Sequence, residues 1–193
     1  MSVFSKLKDM FKSPYDNTTA TALYVAIVQQ ARQLKFYQDY QVADTLDGRF
    51  DMVALHTCLV LRRLRNEHEQ TKDLSQAVFD LMFADMDQNL RELSIGDTGV
   101  AKRIKKMASG FYGRLAAYDL SLNMKPETAS VEELKKVIVR NIYRNTVMSE
   151  DSVDAMAHYI IRQATALEQQ QLGMLMDGNV EFIMPNFENR DQS

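Results

Sequence analysis

The fold is decided by one uninterrupted stretch, Val100-Ala-Lys-Arg-Ile-Lys-Lys-Met-Ala-Ser-Gly-Phe-Tyr-Gly-Arg-Leu-Ala-Ala-Tyr-Asp-Leu-Ser-Leu122. Its apolar residues recur every three or four positions, the spacing that places side chains on one face of an α-helix. The residues on this face are Val100, Ile104, Met107, Ala108, Phe111, Leu115, Tyr118 and Leu122. The stretch predicts an amphipathic helix with this face in a core and its lysines turned away from it.

The same spacing predicts helices on both sides of this stretch. They cover about residues 3–12, 17–40, 49–69, 72–93, 130–142 and 149–167. Ser130, with Glu133 three residues later, forms a capping-box pattern at the start of one of them. Seven glycines and three prolines provide too few turns for a many-stranded sandwich or barrel. The sequence therefore predicts an all-α, single-domain bundle of about seven helices, with a short extended C-terminal segment at residues 180–185.

Three parts of different character are expected along the chain. Residues 1–14 form a short amphipathic helix, residues 15–185 a helical domain, and residues 186–193 a flexible polar tail. Phe4, Leu7 and Phe11 lie on the apolar stripe of the first helix, and lysines fall outside that stripe. Such a helix can lie on an anionic membrane surface, pack on a partner, or complete the domain. These three apolar residues are the candidate membrane contacts.

Composition and charge exclude several classes of protein. With 46% hydrophobic and 25% charged residues, the chain has the usage of a folded globular protein and not of a disordered one. A formal net charge of -3 argues against a dedicated DNA-binding protein. The longest apolar run, residues 23–28, is far shorter than the roughly 20 residues of a transmembrane helix. The N-terminus also lacks the apolar core of a secretory signal, so we expect a location inside the cell.

Few residues suggest catalytic or metal chemistry. Cys58 is the only cysteine, which excludes an intrachain disulfide and a cysteine-based metal site. The histidines at positions 56, 68 and 158 lie on different predicted helices without the short spacing of zinc ligands. No nucleophile–base pair is visible. We therefore predict no enzyme activity, no metal and no cofactor, and we interpret His56 and His158 as core histidines.

Charge is segregated between two neighbouring predicted helices. Residues 73–97 contain six acids against Arg91, whereas residues 102–114 contain five basic residues and no acid. Asp85 lies at the border of the apolar stripe, where an acid needs a partner, so we predict a buried salt link or a cap there. Lys102, Lys105 and Lys106 project away from the apolar face of their helix. This basic surface is either a solvated face or a docking site for an acidic protein, a lipid headgroup or ribosomal RNA.

Several segments taken together resemble the ubiquinol–cytochrome c chaperone family. They are residues 80–93, Gly96-Asp97, residues 100–107 and residues 111–114, with residues 51–64 upstream of them. The resemblance extends from about residue 17 to about residue 185 and is densest between Asp80 and Arg114. It implies a helical assembly factor without enzymatic activity, which binds newly made cytochrome b and aids its insertion into the bc1 respiratory complex.

The resemblance also implies partners and a location. Mitochondrial members act with a small co-chaperone at the ribosomal tunnel exit, so the ribosome and a co-chaperone are candidate partners beside cytochrome b. No long arginine-rich presequence precedes residue 17, which indicates a bacterial-type member. The expected location is the cytoplasm with peripheral contact to the inner membrane, or the mitochondrial matrix if the source is eukaryotic.

The candidate partner-binding residues come from these matched segments and from the lysine-rich rim. They are Asp85, Asp87, Arg91, Lys102, Arg103, Lys105, Lys106, Tyr112 and Arg114. An alternative function stays open, because the chain contains twelve methionines and methionine-rich helices can enclose a small molecule. In that alternative the protein is a helical carrier of a lipid, a quinone or haem.

Overall fold

The computed structural model describes residues 17–92, 97–125, 127–144 and 146–187. The helices are α1 Asn17–Ala31, α2 Leu34–Gln38, α3 Leu46–Arg65, α4 His68–Glu92, α5 Asp97–Leu122, α6 Glu127–Ile138, α7 Glu150–Gln169 and α8 Leu172–Met176. A π-helical turn, Val139–Tyr143, continues α6. The predicted all-α bundle is confirmed. The predicted helix at residues 3–12, with the candidate membrane contacts Phe4, Leu7 and Phe11, lies outside the described residues.

Helix α3 forms the centre of the bundle. It contacts α1, α4, α5 and α7, and every residue from Phe50 to Leu61 is buried. A helix that is covered on all sides in this way belongs in a core. Its first turn is fixed by Thr45, whose hydroxyl accepts a hydrogen bond from the Gly48 amide at 3.1 Å. Cys58 lies in the middle of this helix at 1% exposure, as a small buried side chain.

The helix predicted at residues 17–40 is divided in the structure. Helix α1 ends at Ala31, and the single turn α2 follows at Leu34–Gln38. The Tyr37 hydroxyl donates to the Ala31 carbonyl at 2.9 Å and so satisfies one of the terminal acceptors of α1. The bend brings Phe36 and Tyr40 into the core, where both are fully buried. Burial of these two rings against the bundle explains why the chain turns here.

Ser130 also has a role different from the predicted N-cap. Helix α6 begins three residues earlier, at Glu127, so Ser130 lies inside its first turns. The Ser130 hydroxyl is buried and donates to the Ser121 carbonyl at 2.7 Å. It therefore satisfies an acceptor near the end of α5, and the capping-box interpretation was wrong. Ser149 is the N-cap of α7, since its hydroxyl accepts from the Ser152 amide at 3.1 Å.

The extended C-terminal segment packs along the helices, and we call residues 179–187 the strap. The strap is reached through Gly178, which has a left-handed φ of +83° that suits glycine. Gln30 Nε2 donates to the Ile183 carbonyl at 2.8 Å, and the Ile183 amide donates to Gln163 Oε1 at 2.9 Å. The strap thus joins α1 to α7. Residues 188–193 of the predicted tail lie outside the described residues.

Candidate functional site

Four aromatic rings line the contact between α4 and α5, and we call them the aromatic seam. Phe79 and Phe83 come from α4, and Phe111 and Tyr112 come from α5. The centroid of the Phe79 ring lies 4.7 Å from that of Phe83, 5.5 Å from that of Phe111 and 5.4 Å from that of Tyr112. These separations are typical of favourable aromatic pairs.

The aromatic seam is buried on the side of Phe111 and exposed to solvent on the side of Tyr112. Phe111 is fully buried, Phe79 and Phe83 are half-buried, and Tyr112 is 57% exposed. Tyr112 was predicted from the sequence, but Phe79 and Phe83 were missed as candidate residues. Their signal was present, because the two phenylalanines are four residues apart and lie one position beyond Val78 and Met82 of the buried stripe.

Two of the predicted lysines lie on the exposed surface of α5. Lys102 and Lys105 are exposed, and neither lines the cleft described below. Lys105 is seven residues from Tyr112, a spacing that places both on one side of the helix. The exposed ring of Tyr112 and the side chain of Lys105 therefore lie on the same side of α5.

A second feature is a cleft beside α5, which we call the basic cleft. Its volume is about 370 Å³, and it lies between the start of α3, the end of α4, α5 and the π-helical turn. Five basic side chains line it: Arg103, Lys106, Arg114, Arg140 and Arg144. Apolar side chains form most of the remaining wall, namely Leu46, Phe50, Met86, Leu90 and Met107, and Asp47, Asn89 and Gly110 complete it. The cleft is therefore both positively charged and partly apolar.

Asp51 is the buried carboxylate behind this cleft. Its side chain is 1% exposed, and its Oδ1 accepts hydrogen bonds from Arg114 at 2.8 Å and from Arg144 at 2.6 Å. Burial raises the pKa of Asp51 to about 6, although the two guanidinium groups oppose this shift. The carboxylate is therefore mostly ionised at neutral pH and holds both arginines in place. Arg144 adopts an unusual φ of +51° at this position.

The predicted acidic residues have structural partners on their own or a neighbouring helix. Asp85 accepts a hydrogen bond from the Tyr24 hydroxyl at 2.7 Å and another from Asn89 at 3.0 Å. This link joins α1 to α4 by hydrogen bonds to a phenol and an amide, where the sequence predicted a salt link or a cap. Asp87 pairs with Arg91 one turn later at 2.5 Å, on a half-exposed face of α4.

The nine candidate residues therefore divide into separate groups. The basic cleft contains Arg103, Lys106 and Arg114, and the aromatic seam contains Tyr112. Asp85, Asp87, Arg91, Lys102 and Lys105 line neither of them.

His56 belongs to a buried polar network. Its Nδ1 lies 2.8 Å from the Met52 carbonyl and its Nε2 lies 2.8 Å from the Tyr159 hydroxyl, which also accepts from Gln30 at 2.9 Å. Burial lowers the pKa of His56 to about 4, so the ring is neutral at physiological pH. Since a carbonyl can only accept, Nδ1 carries the proton and Nε2 accepts from Tyr159. Both ring nitrogens of His56 therefore have hydrogen-bond partners, and His56 is a core histidine, as predicted.

The structure adds two findings on other classes of site. Among the described residues, no three His, Cys, Asp or Glu side chains are grouped so that they could hold one metal ion. Within the same ranges, none of the helices combines the length and the apolar character that a membrane span requires.

Comparisons with known proteins point to one family. The family model for the ubiquinol-cytochrome C chaperones matches residues 38–182, more than half of the chain. A solved structure, the crystal structure of the Cbp3 homolog from Brucella abortus, is 31% identical with a TM-score of 0.75. That match covers 98% of this chain and 97% of the other. No curated protein matches significantly. The family match includes every residue of the aromatic seam and of the basic cleft.

Proposed function

Because the chain belongs to the ubiquinol-cytochrome C chaperone family, we propose that it binds newly synthesised cytochrome b and assists assembly of the bc1 complex. It acts by binding, without catalysis. The observation that carries this proposal is the aromatic seam, which leaves Tyr112 exposed on the same side of α5 as Lys105 in a member of this family.

The chemistry of the seam suits an unassembled membrane polypeptide. Segments that are destined for a bilayer are strongly apolar and need cover until they are inserted. The rings of Phe79, Phe83 and Tyr112 offer a partly exposed apolar surface, and an apolar helix can lie along such a surface. Lys102 and Lys105 beside it would steer a client with acidic flanks and make binding salt-dependent.

Further partners follow from the same assignment. The ribosome or a small co-chaperone would present the client during synthesis, and the basic face of α5 is a candidate contact for either. Phe4, Leu7 and Phe11, which lie outside the described residues, are proposed to hold the protein at the inner membrane. The proposed location is therefore the cytoplasm, at the membrane periphery.

Site-specific photo-crosslinking tests the client and its contact surface together. A photoreactive amino acid at Tyr112 should crosslink to nascent cytochrome b in cells that synthesise the complex. The matched position is Val147, which is 93% exposed in the segment before α7 and remote from the seam in sequence. We expect a clear cytochrome b adduct from position 112 and little or none from position 147.

Two results would contradict the proposal. Equal adduct yields at both positions would show that the aromatic seam is not the contact surface for the client. A normal amount of bc1 complex in cells that lack the gene would show that the protein does not assist its assembly. The alternative function, a helical carrier of a lipid, a quinone or haem, is tested by a separate measurement. Native mass spectrometry of freshly purified protein would reveal such a ligand as a defined added mass.

A further inference from the structure

Among the residues that the structure describes, the basic cleft contains more positive charge than neighbouring carboxylates neutralise. Its five cationic side chains are paired there with the carboxylates of Asp47 and Asp51, which leaves an excess of three positive charges in this part of the chain. Within the described part of the chain, Arg103, Lys106 and Arg140 form no ion pair. Like charges that converge in one concave site repel each other unless an anion joins them.

Two of the cleft arginines, Arg114 and Arg144, are held in place by a buried carboxylate. Asp51 binds both Arg114 and Arg144 through one oxygen and is itself almost fully buried, so it anchors them from the protein side. The Nε of Arg114 is buried without a hydrogen-bond partner. The Arg144 side chain is 39% exposed, and its contact with Asp47 is long, at 3.9 Å. The Arg144 guanidinium therefore keeps donors available for an incoming oxyanion, whereas Arg114 is held mainly by Asp51.

Apart from Asp47, Asn89 and Gly110, the rest of the described wall is apolar, which suits a ligand with two different ends. Phe50 and Leu90 are buried there, and Met107 is half-buried. A cleft of about 370 Å³ holds a small charged group together with part of an apolar or glycerol-like body. An inorganic ion alone would leave this apolar wall without a contact.

We propose that the basic cleft is a binding site for a phosphate ester. The phosphate lies among Arg103, Lys106, Arg140 and Arg144, and the ester body lies against Phe50 and Met107. Guanidinium forks match phosphate oxygens in pairs, and a phosphate monoester offers three charged acceptor oxygens, one more than a carboxylate, to the converging donors. The same chemistry is supplied by the headgroup of an anionic phospholipid or by a free phosphate ester.

Calorimetric titration of the full-length protein at fixed ionic strength tests the site. The probes are glycerol 3-phosphate and dihexanoyl phosphatidylglycerol below its micelle concentration. The cleft variant is Arg103→Gln with Lys106→Gln, and the control is Lys102→Gln with Lys105→Gln. Both variants lose two charges from the same helix, but only the first loses cleft residues. We expect the cleft variant to bind about 10-fold more weakly or worse, whereas the control changes by less than about 2-fold.

The two probes also separate the sources of the phosphate. Tighter binding of the phosphatidylglycerol assigns the cleft to a lipid headgroup, and equal affinities assign it to a free phosphate ester. The proposal is overturned if neither probe binds saturably, or if both double variants weaken binding equally, since that would reflect only the general charge of α5. Neither of these results affects the cytochrome b crosslink at position 112, so the two proposals fail independently.

Discussion

At the scale of single residues, the hydrogen bonds around His56 in the core fix which groups donate and which accept. His56 accepts from Tyr159 and donates to Met52, and Tyr159 in turn accepts from Gln30. A charged imidazolium at this position would have two donors, and Tyr159 would then have to stop donating to it. The network is therefore compatible with one protonation state of His56.

This requirement predicts a stability that depends on pH through His56. In the unfolded chain the imidazole binds a proton near its ordinary pKa of 6.5, whereas in the folded protein it does so only near 4. The unfolded state thus binds more protons between these values, and the free energy of unfolding falls as the pH drops from 6.5 to 4. The contribution of this one group is about 1.4 kcal/mol per pH unit, or ~3 kcal/mol over the window.

Urea unfolding of wild-type protein and of a His56→Asn variant at several pH values measures this contribution. The variant is less stable at pH 7, but its disadvantage should shrink steadily toward pH 4, because asparagine does not titrate. Asp51, whose raised pKa acts in the opposite direction, is present in both proteins and cancels in the difference. Parallel stability curves for the two proteins would contradict the assignment of a neutral, buried His56.

At the scale of the helices, the ends are fixed by short-range geometry. Helix α3 begins in a tight turn, where the Thr45 amide donates to the Ala43 carbonyl at 2.8 Å and the Thr45 hydroxyl caps Gly48. A Cβ atom on Gly48 would lie 2.0 Å from the Ala43 carbonyl oxygen. Since that oxygen belongs to the backbone, it cannot move aside without breaking the turn.

Two glycine-to-alanine substitutions should therefore act in opposite directions. Gly48→Ala should destabilise the protein by about 2 kcal/mol or more, because it strains the turn before the central helix. Gly113→Ala should raise stability by about 0.5–1 kcal/mol, because this exposed position inside α5 has open space around it and alanine favours helix. Thermal unfolding of the two variants measures the contrast. A Gly48→Ala protein as stable as wild type would show that the turn is not so constrained.

At the scale of the whole molecule, the strap joins elements that are distant in sequence. It bonds to Gln30 of α1 and Gln163 of α7, and the Phe182 ring packs against the His56 ring of α3 with 5.7 Å between centroids. The strap therefore contacts three helices, α1, α3 and α7. Such a connection favours cooperative unfolding of these three helices, since none of them can leave the bundle without losing strap contacts.

The strap offers a direct comparison between an inward and an outward side chain. Phe182→Ala should lower the free energy of unfolding by about 2 kcal/mol, because a half-buried ring in contact with the core is lost. Met184→Ala, at an exposed position two residues later, should have little effect. Urea unfolding followed by circular dichroism measures both. Equal effects would mean that the strap does not pack on the core as the structure describes.

Much of the fold could be predicted because helix periodicity is a local property. The register of α5 and the buried stripe of α4 were both visible in residue spacing, as was the start of α7 near residue 149. The break after Ala31 could not be predicted, since it depends on where Phe36 and Tyr40 find room in the bundle. The role of Ser130 was predicted wrongly for the same reason. Its sequence pattern fits a helix N-cap, but its hydroxyl donates to the carbonyl of Ser121 on another helix.

The amino-acid sequence was sufficient to predict an all-helical chain with a segregated charge pattern, and it indicated Tyr112, Arg103 and Arg114 as candidate residues. The packing of the helices divided those residues between the aromatic seam and the basic cleft and placed Asp51 behind two arginines. The physical reason is that helix formation is encoded at spacings of three and four residues, whereas a surface or a cleft joins residues far apart in the chain. Arg144 and Asp51, for example, are 93 positions apart and meet only when the π-helical turn before Arg144 packs against α3.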